Sequence, residues 1–412
     1  MMRFMSGVTR KTARQMGTTY SNPPPEPGTN IRLVASERSW IEGDAVRQLE
    51  TTAALEGVEL AVGLPDLHPG KGNPVGAAFV TRKTLHPTLI GNDIGYAMSF
   101  WQTDIQARKL KLDRCADRLT GLEAPWEGDR DGWRAKHGLA EGAHNITVGT
   151  IGGGNHFAEL QTVEDICDAD AFRSLGLEKG RCAPLVHSGS RVLGQRIFRR
   201  ILADHGANPL LENSQAAADY LRDHERALAW SQANRALIAH RFTRQIGADA
   251  SLVCDVPHNC LSREDWRGEK AWIHRKGSAS ARETAIMIPG SRGTFSYLVR
   301  PVGDQDDNAW SLAHGAGRRW QRGYAKSRLS YRYRVADMER TPLGGRVICE
   351  DRELIYDEAP QAYKAIEQVI DDLKQAGLID VIAVYRPLLT YKQRKRGDAA
   401  RTFRGPQLRA VR

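Results

Sequence analysis

Four short motifs of one design constrain the fold of this chain more than any other feature. In each motif a short apolar run enters a turn, and a candidate metal ligand stands at that turn. The motifs are LIGNDIGY (89–96), GTIGGGNHFAE (149–159), LVHSGSR (185–191) and VPHN (256–259). Related motifs continue from residue 66 to residue 392, and no Pro/Ser-rich linker separates them. The sequence therefore predicts one interwoven α+β domain with mixed sheets flanked by helices.

The turn residues of these motifs have side chains that bind metal ions. Asp93 stands between two glycines, where it suits a hard cation, although an Asx turn is an equally good interpretation. His156, His187 and His258 each lie beside apolar residues, where burial favours the neutral imidazole. Any one of them alone fits a core histidine better. Together the four residues suit Mn²⁺, Fe²⁺ or Zn²⁺.

Three glycine-rich stretches are candidates for phosphate binding. Gly152 to Gly154 allow close backbone approach to a phosphate, with a flexible loop as the alternative. Residues 288–296 (IPGSRGTFS) add serines and an arginine, without the Gly-Lys-Ser/Thr ending of a Walker loop. Residues 311–319 (SLAHGAGRR) place His314 next to small residues and two arginines, where it can attack a phosphorus atom. That stretch by itself fits a structural turn better.

Composition narrows the partners and the compartment. A net charge of +10 favours a polyanionic partner, and six dispersed cysteines without a CxxC pair fit the reduced thiols of a cytoplasmic protein. No apolar run approaches the roughly 18 residues that span a bilayer, so no membrane association is expected. We expect residues 1–30 to form a flexible extension, residues 31–392 the folded domain, and residues 393–412 a basic tail.

Several elements follow from hydrophobic periodicity. We expect a helical segment at about 208–247, with its clearest signal from Asn213 to Ile246, and a second helix over Arg191 to Asp204. A third helix is expected to open at Pro360 and stop at Gly377. The predicted strands are Val58 to Leu64, ended by Pro65, then Val75 to Thr81, Val186 to Ser190 and Val381 to Tyr385.

Taken together, these motifs resemble those of the RtcB RNA ligases, which join RNA ends with GTP and Mn²⁺. The matching stretches stand in the family's order and span residues 65–392: PDLHPGKG, GNDIG, GGNHFAE, VHSGSR, PHN, RKGSASAR, IPGSRGTFS, HGAGRR, DEAPQAYK and RPLLTYK. The resemblance implies the compact α+β fold of that family.

The resemblance also implies residue roles. Asp93, His156, His187 and His258 fall on the metal ligands, for one or two Mn²⁺ ions, and His314 falls on the histidine that becomes guanylylated. The residues on GTP-binding positions are Asn155, His156, Phe157, Ala158, Glu159, His258, Asn259, Pro289, Gly290, Ser291, Arg292, Ser296, His314, Gly315, Ala316, Gly317 and Lys392.

The chain departs from the family pattern in two side chains of the site. Tyr96 stands where the family has a cysteine that bridges two metal ions. Three outcomes are open: phenolate ligation, a one-metal site, or compensation by Cys254 or Cys260; we favour a changed two-metal geometry. Arg292 replaces a methionine of the phosphate loop. At the carboxyl end, Lys392 is followed by further residues, whereas in the family this lysine lies at or near the chain end.

The implied activity is that of an RNA ligase in RNA repair or tRNA splicing. It joins an RNA 3′-phosphate or 2′,3′-cyclic phosphate to a 5′-hydroxyl end, and an activating or repair partner protein is compatible with it. RNA would lie on basic residues interleaved with aromatic rings: Arg318, Arg319, Trp320, Arg322, Tyr324, Lys326, Arg328, Tyr331, Arg332, Tyr333 and Arg334. For any single residue of this set, a solvated basic surface with partly packed aromatic rings is a nearly equal interpretation. The rival functions are a metal-dependent phosphodiesterase or nucleotide hydrolase, and a non-catalytic RNA-binding subunit of a repair complex.

Overall fold

The structure is a computed structural model that describes residues 30–394. The helices in this range are α1 (Gly43–Ala53), α2 (Pro87–Ile90), α3 (Leu112–Arg118), α4 (Arg130–Lys136), α5 (Ala169–Ser174), α6 (Val192–His205), α7 (Gln215–Ile246), α8 (Tyr324–Leu329), α9 (Leu354–Asp357) and α10 (Ile366–Gln375). The strands are β1 (Ile31–Leu33), β2 (Val58–His68), β3 (Val75–Thr81), β4 (Thr84–Leu85), β5 (Ala97–Thr103), β6 (Phe157–Ile166), β7 (Cys182–Ser188), β8 (Leu210–Leu211), β9 (Ala250–Pro257), β10 (Asn259–Trp266), β11 (Glu269–Lys276), β12 (Ser278–Ser280), β13 (Ile286–Pro289), β14 (Ser296–Pro301), β15 (Ser311–Ala313), β16 (Arg346–Cys349) and β17 (Ile379–Gln393).

Two large sheets organise the chain. The larger sheet has the antiparallel order β13-β14-β17-β6-β7-β5-β9, and β16 adds to β17 in parallel. The smaller sheet has the order β1-β2-β3-β11-β10, in which only the β1–β2 pair is parallel. Short two-stranded pairs, β12-β15 and β4-β8, complete the strands. Mixed sheets with helices on their faces confirm the predicted α+β class.

The hydrophobic core joins the two sheets. Val62 and Ile273 of the smaller sheet share one buried cluster with Ile288 and Val299 of the larger sheet and with Ile370 of α10. Burial of this much apolar surface is the main driving force that holds the sheets together.

Helix α7 packs on one face of the larger sheet, against strands β6 and β7. Its Ile238 and Phe242 pack into the same cluster as Val186 of β7. The helix starts at Ser214, whose Oγ accepts the N–H of Ala217 at 3.1 Å, and stops at a left-handed glycine, as helices commonly do. The prediction of a long helix here is confirmed.

Two expectations about proline were wrong. Pro65 does not end a strand, because β2 runs on to His68. The pairing of β2 with β3 breaks between Gly63 and His68, so the proline falls where no ladder hydrogen bond is needed. Pro360 opens only a 3₁₀ turn that reaches Ala362.

Helix α10 starts at Ile366, six residues later than expected. Tyr363 is extended, and the N–H of Lys364 donates to the carbonyl of Gly317 at 3.0 Å. The chain is thus held against the HGAGRR segment before it can turn into a helix.

The predicted N-terminal extension and basic tail lie outside the described residues, apart from Asn30, Gln393 and Arg394. Between residues 30 and 394, no helix is both long and apolar enough to cross a membrane.

Candidate active site

The antiparallel order of four strands brings the predicted metal ligands together. Tyr96 precedes β5 and His156 precedes β6, whereas His187 is the last residue but one of β7 and His258 follows β9. Since β6, β7, β5 and β9 are neighbours of alternating direction, the starts of two strands lie beside the ends of the other two. The N–H of His258 donates to the carbonyl of Tyr96 at 2.8 Å, which joins two of these ends directly.

Asp93 reaches this edge from the turn that precedes β5. Its Oδ1 accepts the backbone N–H of Arg191 at 3.3 Å. A side chain at Gly189 would place its Cβ 2.2 Å from the same oxygen, so only glycine permits the approach. Arg191 itself adopts a φ of 56°, which is rare for a residue other than glycine and is a mark of functional sites.

The four predicted ligands form two pairs. Asp93 Oδ2 lies 3.3 Å from His156 Nε2, and His187 Nε2 lies 3.2 Å from His258 Nε2. In the described part of the chain, no three His, Cys, Asp or Glu side chains are arranged to hold one ion together. Two atoms that bind one ion at about 2.1 Å each and subtend a right angle or slightly more are about 3 Å apart, so each pair has the spacing of two ligands of one metal ion.

The chemistry of the imidazoles fits a metal as well. Nδ1 of His156 lies 2.8 Å from the carbonyl of Ile151 and 3.0 Å from Nη1 of Arg191. The carbonyl is the nearer partner and can only accept, so Nδ1–H donates to it and the lone pair of Nε2 faces Asp93. Burial lowers the pKa of His187 and of His258 well below the ordinary histidine value, so both rings are neutral. Nitrogen and carboxylate donors in this mixture suit a borderline ion such as Mn²⁺.

Tyr96 occupies the centre of this group. Its ring stacks on His187 at 4.0 Å and lies 4.8 Å from the ring of His156 and 4.9 Å from that of His258. Its hydroxyl lies 3.3 Å from Nδ1 of His187, whereas Nε2 of that ring is the nitrogen that faces His258. Burial and the charge of Asp93 raise the pKa of the phenol well above its ordinary value, so it is protonated.

Neither of the two cysteines considered as substitutes for the bridging thiol reaches this site. Cys254 and Cys260 do not line the cavity at this edge. Burial raises the pKa of both thiols, that of Cys254 to about 12.

A buried arginine on α7, which sequence reasoning missed, supports the strand ends from behind. Arg235 is 1% exposed and makes a bidentate pair with Asp255 at 2.8 and 3.0 Å. Its Nη1 donates to the carbonyls of Gly95 at 2.7 Å and of Ser188 at 3.0 Å. In the sequence, the one sign of this role is that Arg235 stands on the apolar side of a predicted long helix.

The candidate nucleophile is oriented by a second residue that had no predicted role. His314 follows β15, and its Nδ1 lies 2.7 Å from Oδ2 of Asp66, a fully buried carboxylate of β2. Since a carboxylate only accepts, Nδ1 carries the proton and Nε2 keeps a lone pair. The ring of His314 lies 4.6 Å from that of His258, so this lone pair belongs to the same site as the ligand pairs.

One cavity of about 1200 Å³ is lined by the predicted ligands, Tyr96 and the candidate nucleophile: Asp93, Tyr96, His156, His187, His258 and His314. It is also lined by most residues on predicted GTP-binding positions: Asn155, Phe157, Glu159, Asn259, Pro289, Gly290, Ser291, Arg292, Gly315, Ala316, Gly317 and Lys392. Ala158 and Ser296 do not line the cavity and lie behind the residues that do. Ala158 is in the core, and the hydroxyl of Ser296 accepts from Gln161 at 2.9 Å.

Two cationic side chains that line this cavity have donor groups without a hydrogen-bond or ion-pair partner in the described chain. Nη2 of Arg292 donates to the carbonyl of Ile355 at 2.8 Å, but its buried Nη1 has no partner in the described chain. Lys276 shows no hydrogen bond or ion pair of its ammonium within residues 30–394, and burial lowers its pKa to about 8. Unpaired cations beside a cavity suit an anionic ligand.

A third missed residue, Glu358, compensates two further cations. It pairs with Lys392 at 3.3 Å and with Arg318 at 3.2 Å, and it accepts the hydroxyl of Tyr363 at 2.6 Å. Burial acts to raise its pKa, but Lys392 and Arg318 outweigh that effect and lower it to about 2.

Comparison with known proteins identifies the family. The family model described as tRNA-splicing ligase RtcB matches residues 48–131 and 127–393. The chain belongs to the RtcB family. RNA-splicing ligase RtcB2 of Escherichia coli is 45% identical over 365 residues, which are 88% of this chain and 95% of that relative. The tRNA-splicing ligase RtcB of Archaeoglobus fulgidus is 28% identical over 443 residues, covering 84% of this chain and 91% of the relative.

The basic and aromatic surface that we expected to bind RNA in this RtcB protein divides into two parts. Arg318 serves the fold, since it donates to the carbonyls of Trp320 and Asp357 in addition to its pair with Glu358. Tyr324 and Tyr331 are 58% and 72% exposed, as rings that stack on bases have to be. The RNA prediction therefore stays with the exposed members of the set and not with Arg318.

Proposed function

We infer that this RtcB protein is an RNA ligase that acts in RNA repair or tRNA splicing. The names of the relatives support this, and the observation that carries the chemistry is His314, held by Asp66 beside the two ligand pairs. A phosphodiesterase or nucleotide hydrolase could use the same ligand pairs without His314 as a covalent nucleophile, and no relative named here is described as one.

We further propose that the ends joined are an RNA 3′-phosphate, or a 2′,3′-cyclic phosphate after opening by water, and a 5′-hydroxyl. Nε2 of His314 attacks the α-phosphorus of GTP, a P–N bond forms, and pyrophosphate leaves. An oxygen of the RNA 3′-phosphate then attacks the guanylyl phosphorus and releases His314. Finally the 5′-hydroxyl attacks the activated 3′-phosphate and GMP leaves. Asp66 holds Nδ1–H throughout and stabilises the positive charge on the ring.

Asp93, His156, His187 and His258 are proposed to hold one or two Mn²⁺ ions in their two pairs. An ion held by these residues would supply positive charge against the phosphate oxygens and the pyrophosphate leaving group. In this proposal Tyr96 packs between the imidazoles as a neutral phenol.

We also propose that residues 31–392 form the ligase domain and that the protein is cytoplasmic. Its six free cysteines support the cytoplasmic location.

Labelling with α-labelled GTP and Mn²⁺ tests this function. Acid-labile label on the protein is expected, absent in His314→Ala, followed by joining of a 3′-phosphate RNA to a 5′-hydroxyl RNA. Label that persists in His314→Ala would contradict the proposed nucleophile. Nucleotide hydrolysis without labelled protein would point to a hydrolase, and RNA binding without label or joining would point to a non-catalytic subunit.

A further inference from the structure

A second, smaller cavity of about 370 Å³ opens between α6 and α7, apart from the active-site cavity. Its charged lining residues are Arg196, Arg200, Asp223 and Arg226. Three guanidiniums thus face one carboxylate. The cavity is therefore electropositive and suits an anionic ligand.

The arginines of this cavity are only partly engaged by the protein. Arg200 pairs with Asp223, and Arg226 donates to the carbonyl of Glu141 at 3.1 Å. Arg196 has no hydrogen-bond or ion-pair partner between residues 30 and 394. Its fork of donors is free to meet phosphate oxygens.

A buried polar side chain reaches the same cavity. His144 is 6% exposed and lines the cavity, and its ring makes no hydrogen bond within the described chain. Burial, together with Arg226 and Arg196, lowers its pKa, so the ring is a neutral donor. A phosphate oxygen would satisfy it.

Helix α6 connects this cavity to the active site. Arg191 just before the helix and Gln195 and Phe198 within it line the active-site cavity. Arg196 and Arg200 lie on the opposite side and line the second cavity. By helical spacing Arg199 lies on the exposed face between the two sides.

We propose that an RNA strand leaves the active-site cavity, crosses α6 at Arg199 and places a backbone phosphate in the second cavity, on Arg196, Arg226 and His144. A helix with its side chains is about 10–12 Å across, and one strand advances at least about 3.4 Å per nucleotide, so the crossing takes about three nucleotides or fewer. This inference rests on the proposed function. RNA is favoured over an acidic protein segment because the second cavity lies just across α6 from the place where an RNA end has to react.

Binding of two fluorescent RNAs with a 3′-phosphate, a single nucleotide and a strand of ten nucleotides, tests the path. For the wild type the longer RNA is expected to bind about tenfold tighter or more. The double variant Arg196→Ala/Arg226→Ala is expected to bind the single nucleotide as the wild type does and to lose most of that gain. Its slope of log affinity against log salt should fall by about 0.7, the contribution of the one phosphate contact that a single strand makes in this cavity.

The matched control is Arg173→Ala/Arg267→Ala, which removes two exposed arginines outside α6 and α7. It should keep both the length dependence and the salt slope. The proposal is overturned if the Arg196/Arg226 variant still binds the longer RNA more tightly, or if the wild type shows no such preference. An acidic protein segment would then be the better candidate ligand of the cavity. GTP labelling of the same preparations separates the two claims: unlabelled wild type counts against the proposed function, whereas labelled protein without the length effect counts only against this path.

Discussion

Asp66 Oδ2 accepts two hydrogen bonds from His314, one from ring Nδ1–H at 2.7 Å and one from the backbone N–H at 3.2 Å. The two bonds fix both the orientation of the ring and the position of the proton. Nε2 is thereby presented to the cavity as a lone pair, although Asp66 lies 248 positions away in the chain.

Asp66→Asn is expected to abolish most guanylylation while the fold is kept. The amide can turn its NH₂ toward Nδ1, which moves the ring proton to Nε2 and removes the nucleophilic lone pair. We expect the labelling rate with GTP to fall by about 100-fold or more. Asp380→Asn, an exposed carboxamide substitution, is the control, and wild-type labelling in Asp66→Asn would contradict the role given to this carboxylate.

Tyr96→Phe is expected to leave the metal content unchanged. The hydroxyl lies against Nδ1 of His187, not against the nitrogen that faces His258, so its removal takes away no ligand. Elemental analysis of Mn²⁺-loaded protein measures the ions per chain. A loss of one ion in Tyr96→Phe would show phenolate ligation, and Tyr96→Cys provides the comparison with a thiolate.

Arg292→Met is expected to weaken GTP binding by about 10- to 150-fold, because a charge-assisted hydrogen bond to phosphate contributes about 1.5–3 kcal/mol. Its unpartnered Nη1 is the group that would make that bond. Titration calorimetry with GTP measures the effect. Arg300→Met, which removes an exposed arginine of β14, should bind GTP as the wild type does; equal affinity in Arg292→Met would place Arg292 outside the phosphate site.

Lys276→Met is expected to stabilise the protein at pH 7 by about 3 kcal/mol while impairing ligation, because a desolvated and unpaired ammonium is removed. The folded pKa is about 8 and the unfolded value is 10.5. Between those pH values the unfolded state binds more protons, so wild-type stability rises with pH. The advantage of the variant should therefore shrink from pH 8 to pH 10.5 in denaturant unfolding. A pH-independent difference would show that the ammonium is not desolvated.

Arg235→Met is expected to destabilise the fold by about 3–5 kcal/mol, since it leaves Asp255 as a buried unpaired charge. It also frees the carbonyls of Gly95 and Ser188, so metal affinity should fall with stability. Denaturant unfolding and metal titration measure the two effects. Arg244→Met removes an exposed arginine of the same helix and should change stability by less than about 0.5 kcal/mol. Equal effects of the two variants would contradict a supporting role for Arg235.

Local patterns predicted the elements whose signal is contained in a short window. The apolar periodicity of residues 213–246 gave α7 nearly to its ends, and Val75–Thr81 was predicted with its observed bounds. Pro65 and Pro360 misled because their effect depends on pairing with distant segments, β3 in one case and the Gly317 turn in the other.

The sequence by itself determined which residue types stand at the ends of apolar runs, and with them the proposed ligands Asp93, His156, His187 and His258 and the proposed nucleophile His314. Only the tertiary structure decided which of these face one another. The alternating direction of β6, β7, β5 and β9 creates the two pairs, and β2 brings Asp66 to His314. Such contacts join positions far apart in the chain, and a sequence pattern holds no distance between them. Asp66, Arg235 and Glu358 were missed for that reason: their roles exist only in the partners that folding supplies.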